Sequence, residues 1–221
     1  MTNLYLANTD QLADPDLFAR LYQTVPAHRR EKIDAMKFPK KKQQCLGAWL
    51  LLMHALEQQG IHRKNIRLSY GPVGKPFLVD YPNLFFNLSH AGNRVLCAIS
   101  DHEVGCDVEQ IRPADLKVAE RFFSAEECRR IVNAPEEERN AIFFRFWTLK
   151  ESFIKNIGRG LSLPLREFCI GISDDGIQID QQVLPKESFF FREFDFHDGY
   201  CYACCAREQN IGTIQRIQFD K

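Results

Sequence analysis

Arg94-Val95-Leu96-Cys97-Ala98-Ile99-Ser100 sets five consecutive apolar residues between a charge and a hydroxyl, and Tyr200-Cys201-Tyr202-Ala203-Cys204-Cys205-Ala206 repeats that character about a hundred residues later. Unbroken apolar stretches of strand length mark strands that are covered rather than left with a wet face. The two superpose as the same kind of buried strand, one in each half of the chain. Outward from them each half has the same coarse order, helices first and strands after. This predicts an α+β fold of two pseudo-duplicated α+β subdomains, residues 1–103 and 104–221, joined near 101–112. A groove between two such halves is a usual place for a ligand.

In the first half, residues 12–22 and 27–36 have helical spacing with polar faces, and 43–59 is the most apolar helix, ended by Gly60. Strand patterns follow at 66–70, 77–79, 84–88, 95–100 and 104–109, separated by Gly, Pro, Asn and Asp. After Pro113 the pattern turns helical over 118–123. Ser124-Ala125-Glu126-Glu127 then reads as a capping box, with Ser124 as N-cap and Glu127 at its third helical position. The long helix over 143–157 is stopped by Gly158-Arg159-Gly160. Strands return at 168–172, 177–179, 189–196, 200–207 and 213–219, with Asp-Gly turns at 175–176 and 198–199.

The chain has 221 residues, 45% of them hydrophobic, with 29 basic and 29 acidic side chains and a formal charge of zero. That balance gives no overall basic footprint, so neither nucleic acid nor a membrane surface is an expected partner. The first ten residues lack a basic segment followed by a long apolar one, and the richest apolar run, 48–53, is far short of the roughly 20 residues that span a bilayer. A cytoplasmic location is expected. Eight cysteines in this context read as buried thiols rather than a disulfide framework. The spacing Cys201-x-x-Cys204 lies in a strand pattern, where residues three apart point to opposite faces, which is unsuited to a shared metal.

Val104-Gly105-Cys106-Asp107-Val108-Glu109 alternates, so Asp107 and Glu109 share one strand face with Cα atoms about 6–7 Å apart. Paired carboxylates repel unless a cation bridges them, and an all-oxygen donor set suits Mg²⁺, Mn²⁺ or Ca²⁺. Alone, the pattern is more often that of a half-buried strand with a wet acidic face. Glu151 and Lys155 stand four apart on the long helix, an ordinary surface spacing. Here, however, Phe143, Phe144, Phe146, Trp147, Leu149, Phe153, Ile154 and Ile157 leave only a narrow polar strip bordering a core. A third carboxylate there would complete an octahedral site with water and phosphate oxygens. Lys75 stands on a stiff Gly-Lys-Pro turn. Ser89 and His90 end a strand beside Gly92, and donors of that kind suit a phosphate. His28-Arg29-Arg30 and Lys40-Lys41-Lys42 are basic patches, and no P-loop, GxGxxG or HExxH is present.

The order G-K-P, F-N-L-S-H, V-G-C-D-V-E, R-F-F-S-x-x-E, then F-W-T-L-K-E-S-F-I-K with G-R-G-L-S-L-P-L resembles the 4′-phosphopantetheinyl transferases of the Sfp type, from about Gly74 to Leu165. The resemblance implies two α+β subdomains holding coenzyme A at their interface, with Mg²⁺ on the pyrophosphate. It implies Asp107, Glu109 and Glu151 as metal ligands. Lys155 would meet pyrophosphate or leaving-group oxygens, and Lys150 likewise. Lys75, Ser89 and His90 would contact nucleotide phosphates, and Arg29 and Arg30 the 3′-phosphate. The implied reaction is attack by a serine of an apo acyl or peptidyl carrier protein on the coenzyme β-phosphorus, releasing 3′,5′-ADP, with Glu151 or Glu109 as base. The stretch 111–123 would dock the carrier, and a monomer suffices to form the cleft. The acidic trio by itself also fits a Mg²⁺-dependent phosphohydrolase, or a non-catalytic module that binds coenzyme A or carrier.

Overall fold

In strand β5 (Arg94–Ser100), Val95, Cys97 and Ile99 point one way while Leu96 and Ala98 point the other, and both sets are buried. The computed structural model, which describes residues 1–62, 66–181 and 187–219, shows what covers each face. On one side lies helix α3 (Pro39–Gln58), whose Leu46, Trp49, Leu52 and Met53 join Val95, Cys97 and Ile99 in a first core. On the other lies a second sheet, whose strands β6 (Val104–Gln110) and β10 (Tyr200–Ala206) turn Val104, Cys106, Val108, Tyr202 and Cys204 toward Leu96 and Ala98. The opposite face of that second sheet sends Ala203 and Cys205 into a third core under helix α6 (Glu136–Ile157), with Phe143, Phe146, Leu149 and Phe153. The result is four layers, helix, sheet, sheet, helix.

The first sheet has the order β11-β1-β5-β4, with β1 at Thr2–Asn8, β4 at Phe85–Ala91 and β11 at Ile211–Ile217. Strands β4 and β5 form an antiparallel pair in which Ser89 lies opposite Leu96, and β1 runs antiparallel to β5 and parallel to β11. Strand β1 is the element that the sequence patterns do not show. The final strand, placed by its position in the second half of the chain, crosses back to complete the sheet of the first. The second sheet has the order β6-β10-β9, with β9 at Phe190–Phe194 and Asp107 opposite Ala203 in the β6–β10 register. Two small hairpins flank the sheets, β2 (Leu68–Tyr70) with β3 (Pro76–Leu78), and β7 (Phe168–Ser173) with β8 (Gly176–Gln181).

The remaining helices are α1 (Pro15–Gln23), α2 (Ala27–Asp34), α4 (Leu116–Phe122) and α5 (Ala125–Asn133). Both bonds of the expected capping box are made: Ser124 Oγ accepts from the Glu127 amide and Glu127 accepts from the Ser124 amide. Helix α6 starts earlier than its aromatic pattern, at Glu136, because three glutamates in its first turn suit the positive end of the helix dipole. Gly158 ends it in the left-handed conformation, φ 64°. All eight cysteines are free, and among the described residues no helix is long and apolar enough to cross a membrane.

Candidate active site

Alternation along β6 that sends Cys106 and Val108 inward leaves Gly105, Asp107 and Glu109 facing α6. Gly105 sets the distance between them. A Cβ there would sit 2.0 Å from the Ser152 carbonyl oxygen and 2.3 Å from the Asn156 amide nitrogen, so the helix backbone rests directly on the strand. Asn156 fastens the contact by donating from Nδ2 to the Glu103 and Cys205 carbonyls at 2.8 and 2.9 Å. With the two backbones in touch, the side chains that flank the contact meet. Lys155 Nζ donates to Asp107 Oδ1 at 2.5 Å and to Ser89 Oγ at 3.0 Å, and Ser89 Oγ donates to the same Asp107 oxygen at 2.6 Å.

Strand β4 joins through its side chains. Strand β6 pairs with β10 alone, which leaves the amides of Cys106 and Val108 on an open edge. Asn87 Oδ1 accepts from Cys106 N at 2.9 Å and Ser89 Oγ from Val108 N at 3.3 Å. Two residues of the F-N-L-S-H motif thus replace a β-ladder between the sheets and carry Ser89 to the carboxylate.

Asp107 is buried, and its second oxygen, Oδ2, has no hydrogen-bond partner. Desolvation, with Asp107 and Glu151 adding repulsion against the pull of Arg112 and Lys155, pushes the Glu109 carboxyl up to about 7. Glu151 is also raised, by burial first and by Asp107, with Lys155 opposing. Burial pulls the Lys155 ammonium down, but Asp107 more than reverses this and the net direction is up. The three acids therefore share one electrostatic centre around Lys155. They do not crowd as a mutual cluster: among the described residues, only Asp101, His102 and Glu208 bring three ligand atoms within 4.8 Å of one another. There the amino terminus already bridges both carboxylates. Beside Lys155 and Glu151 opens a cavity of about 260 Å³ that Asn87, Gly74, Lys75 and Gly158 also line.

Other expected contacts lie elsewhere. Lys150 is not brought to this group. It is fully buried on the far side of α6, 2.9 Å from Glu127 Oε2, and donates to the Leu165 and Phe168 carbonyls at 2.8 and 2.6 Å. All three of its N–H donors are used inside the third core, and burial lowers its pKa. His90, next to Ser89 but on the other strand face, is exposed, and its pKa is lowered by partial desolvation and by Lys41 and Lys155. Arg29 is buried against the Trp49 ring, 4.9 Å from its centroid, while Arg30 turns away to Gln23 and the Tyr22 ring.

The family profile described as the 4′-phosphopantetheinyl transferase superfamily matches residues 103–205, and that of the 4′-phosphopantetheinyl transferase N-terminal region matches 13–103. The 4′-phosphopantetheinyl transferase ffp of Bacillus subtilis is 36% identical over 193 residues, covering 85% of this chain and 84% of that protein. The 4′-phosphopantetheinyl transferase Sfp of Bacillus subtilis strain 168 is 32% identical over 202 residues, covering 84% of this chain and 90% of its own length. The chain belongs to the 4′-phosphopantetheinyl transferase superfamily. It is an enzyme of the Sfp type, and coenzyme A is its family's phosphopantetheine donor. The solved holo-[acyl-carrier-protein] synthase of Thermotoga maritima aligns at 22% identity and a TM-score of 0.40, over 47% of this chain and 61% of that one.

In this transferase, four residues that the motifs contain or adjoin do work that sequence reading did not assign. Gly105 permits the helix to touch the strand, Asn87 closes the strand edge, Asn156 pins the helix, and Glu103 pairs with Lys75 at 2.6 Å. A glycine breaking the apolar and polar alternation of V-G-C-D-V-E was the one signal available for the first. The other three make contacts across long sequence separations that no local pattern encodes.

Proposed function

We propose that this transferase moves 4′-phosphopantetheine from coenzyme A to a serine of an apo acyl or peptidyl carrier protein, with Mg²⁺, and releases 3′,5′-ADP. The observation that carries the reading is the Asp107 carboxylate: one oxygen held by Lys155 and Ser89, the other buried without a partner. A buried acceptor left open costs about 1–3 kcal/mol unless something fills it. The donors around it, Asp107, Glu109 and Glu151, are all carboxylate oxygens, which fit a hard divalent ion. Those three residues would hold the metal. Bound there, it supplies charge neutralisation at the diphosphate oxygens.

The protein's own groups do the rest. The carrier serine oxygen bonds to the β-phosphorus as the bond to the bridging oxygen of 3′,5′-ADP breaks. The serine proton passes to a carboxylate, Glu151 or Glu109. Lys155 keeps its proton at Nζ and sets a positive charge beside the departing phosphate, while Lys75, Ser89 and His90 take the other phosphate oxygens. Arg29 and Arg30 would serve the 3′-phosphate only by turning from the Trp49 ring and from Gln23 and the Tyr22 ring. The halves 1–103 and 104–221 act as the two walls of the cleft, one chain supplies both, and the cytoplasm is where coenzyme and carrier meet it.

The test is incubation with coenzyme A, Mg²⁺ and a panel of apo carriers, read by mass spectrometry of the intact carrier. A phosphopantetheinyl mass gain that chelator removes is expected. Glu151→Gln should abolish the gain while its thermal unfolding matches wild type. Nucleotide release without labelling would point to hydrolysis instead, and labelling indifferent to chelator would remove the metal from the reading.

A further inference from the structure

Two cavities meet at Lys75. The smaller one, about 260 Å³, is the one that Glu151 and Lys155 line, and the larger, about 410 Å³, is mostly apolar and has Glu103 on its wall. Lys75 lines both, yet its ammonium is already committed. It donates to Glu103 Oε2 at 2.6 Å, to the Asn156 carbonyl at 3.1 Å and to the Val104 carbonyl at 3.4 Å. An ammonium has three N–H donors, so none is left for a ligand in the smaller cavity.

The three acceptors differ in kind. Asn156 O belongs to the last turn of α6 and Val104 O to the first residue of β6, main-chain atoms fixed by the contact at Gly105. Glu103 alone is a side chain, 44% exposed and able to turn to water. An ion pair with one exposed partner is weak, whereas a phosphate offers the same ammonium more charge and more acceptor oxygens.

We propose that Glu103 is a latch on Lys75: it holds the ammonium while coenzyme A is absent and yields it to a coenzyme phosphate on binding. Glu103 is a positioning residue that sets coenzyme affinity without touching the coenzyme. The proposal rests on the reading that Lys75 meets a phosphate of coenzyme A. Because the pair must open before that contact forms, Glu103 subtracts from affinity, and removing its charge strengthens binding.

Titration calorimetry with coenzyme A and Mg²⁺ tests this on the intact protein. Glu103→Gln should lower Kd about two- to five-fold, the range set by an exposed ion pair. In the labelling assay KM for coenzyme A should fall alongside while kcat does not. Lys75→Met should raise Kd, and Lys75→Gln serves the same purpose if the methionine variant does not fold. The double variant Glu103→Gln/Lys75→Met should match Lys75→Met alone, because the effect of Glu103 passes through Lys75. An unchanged or higher Kd for Glu103→Gln overturns the latch. So does tightening that persists in the Lys75→Met background, which would mark a diffuse field effect. If Lys75→Met leaves Kd unchanged, the phosphate contact itself is refuted and the latch falls with it, an outcome the Glu103 variant alone does not produce.

Discussion

Lys150 and Lys155 occupy the same helix five residues apart, a turn of about 140° around its axis, and they end in opposite environments. Lys150 is sealed with Glu127, both side chains at 0% exposure, and holds α6 to α5 and β7. Lys155 keeps 26% of its side chain exposed and meets Asp107 and Ser89 at the edge of a cavity. The residue type is identical and the flanking sequence similar. What separates them is the surface each helix face meets: aromatic core and a cap on one side, a glycine-flattened strand bearing carboxylates on the other. An ammonium becomes structural where its donors are saturated and water is excluded, and becomes available for chemistry where the same charge borders an opening.

The largest effect is expected where the two environments share a cause. Gly105→Ala would drive a methyl into the Ser152 carbonyl and the Asn156 amide, main-chain atoms with no room to yield. Overpacking usually costs about 1–3 kcal/mol, and here about 5 is expected because the whole helix must lift. Urea unfolding should show that loss, and carrier labelling should fail in whatever remains folded, since both faces of α6 move together. A mild, labelling-competent variant would mean that the helix and strand do not set the site. Glu127→Ala separates the faces. It leaves the Lys150 ammonium buried without its counter-charge, at a cost of about 3–5 kcal/mol. The folded fraction should still bind coenzyme A with unchanged Kd, read by calorimetry. Weakened binding there would return Lys150 to the phosphate contacts.

The comparison also marks how far sequence reaches. Periodicity, with the capping box at Ser124, located every α-helix of the described residues and nearly every strand, because burial on one or both faces writes itself into local alternation: β5, α3 and the Phe-rich α6 are plain examples. Strand β1, at seven residues as long as β5, escaped because its apolar centre Leu4-Tyr5-Leu6-Ala7 neither alternates nor carries a β-branched residue. The crossing of β11 to pair with β1 is a long-range choice, made over roughly two hundred residues and invisible to any window. The motifs picked out Asp107, Glu151 and Lys155 as residue types, and D-x-E at strand spacing did put Asp107 and Glu109 on one face. Nothing local, however, told Lys150 from Lys155. The capping box at Ser124 held the missing clue, since Glu127, its third residue, is the buried acid that claims Lys150.

The smallest effect concerns the joint between the sheets. Ser89 Oγ takes part in three bonds: it donates to Asp107 and accepts from Lys155 and from the Val108 amide. Ser89→Ala removes all three, yet Asp107 keeps Lys155, and only the Val108 amide is left without an acceptor on a buried edge. A net loss of about 1 kcal/mol is expected, seen as a lower urea midpoint with unchanged slope. Asn87→Ala should cost a similar amount through the Cys106 amide, which Asn87 Oδ1 serves at 2.9 Å. If these two side chains replace a ladder, the double variant should cost more than the sum, because the second loss lets the freed edge of β6 part from β4. Strict additivity would show that β4 and β6 are held by the core between the sheets and that the polar joint only aims Ser89 at Asp107.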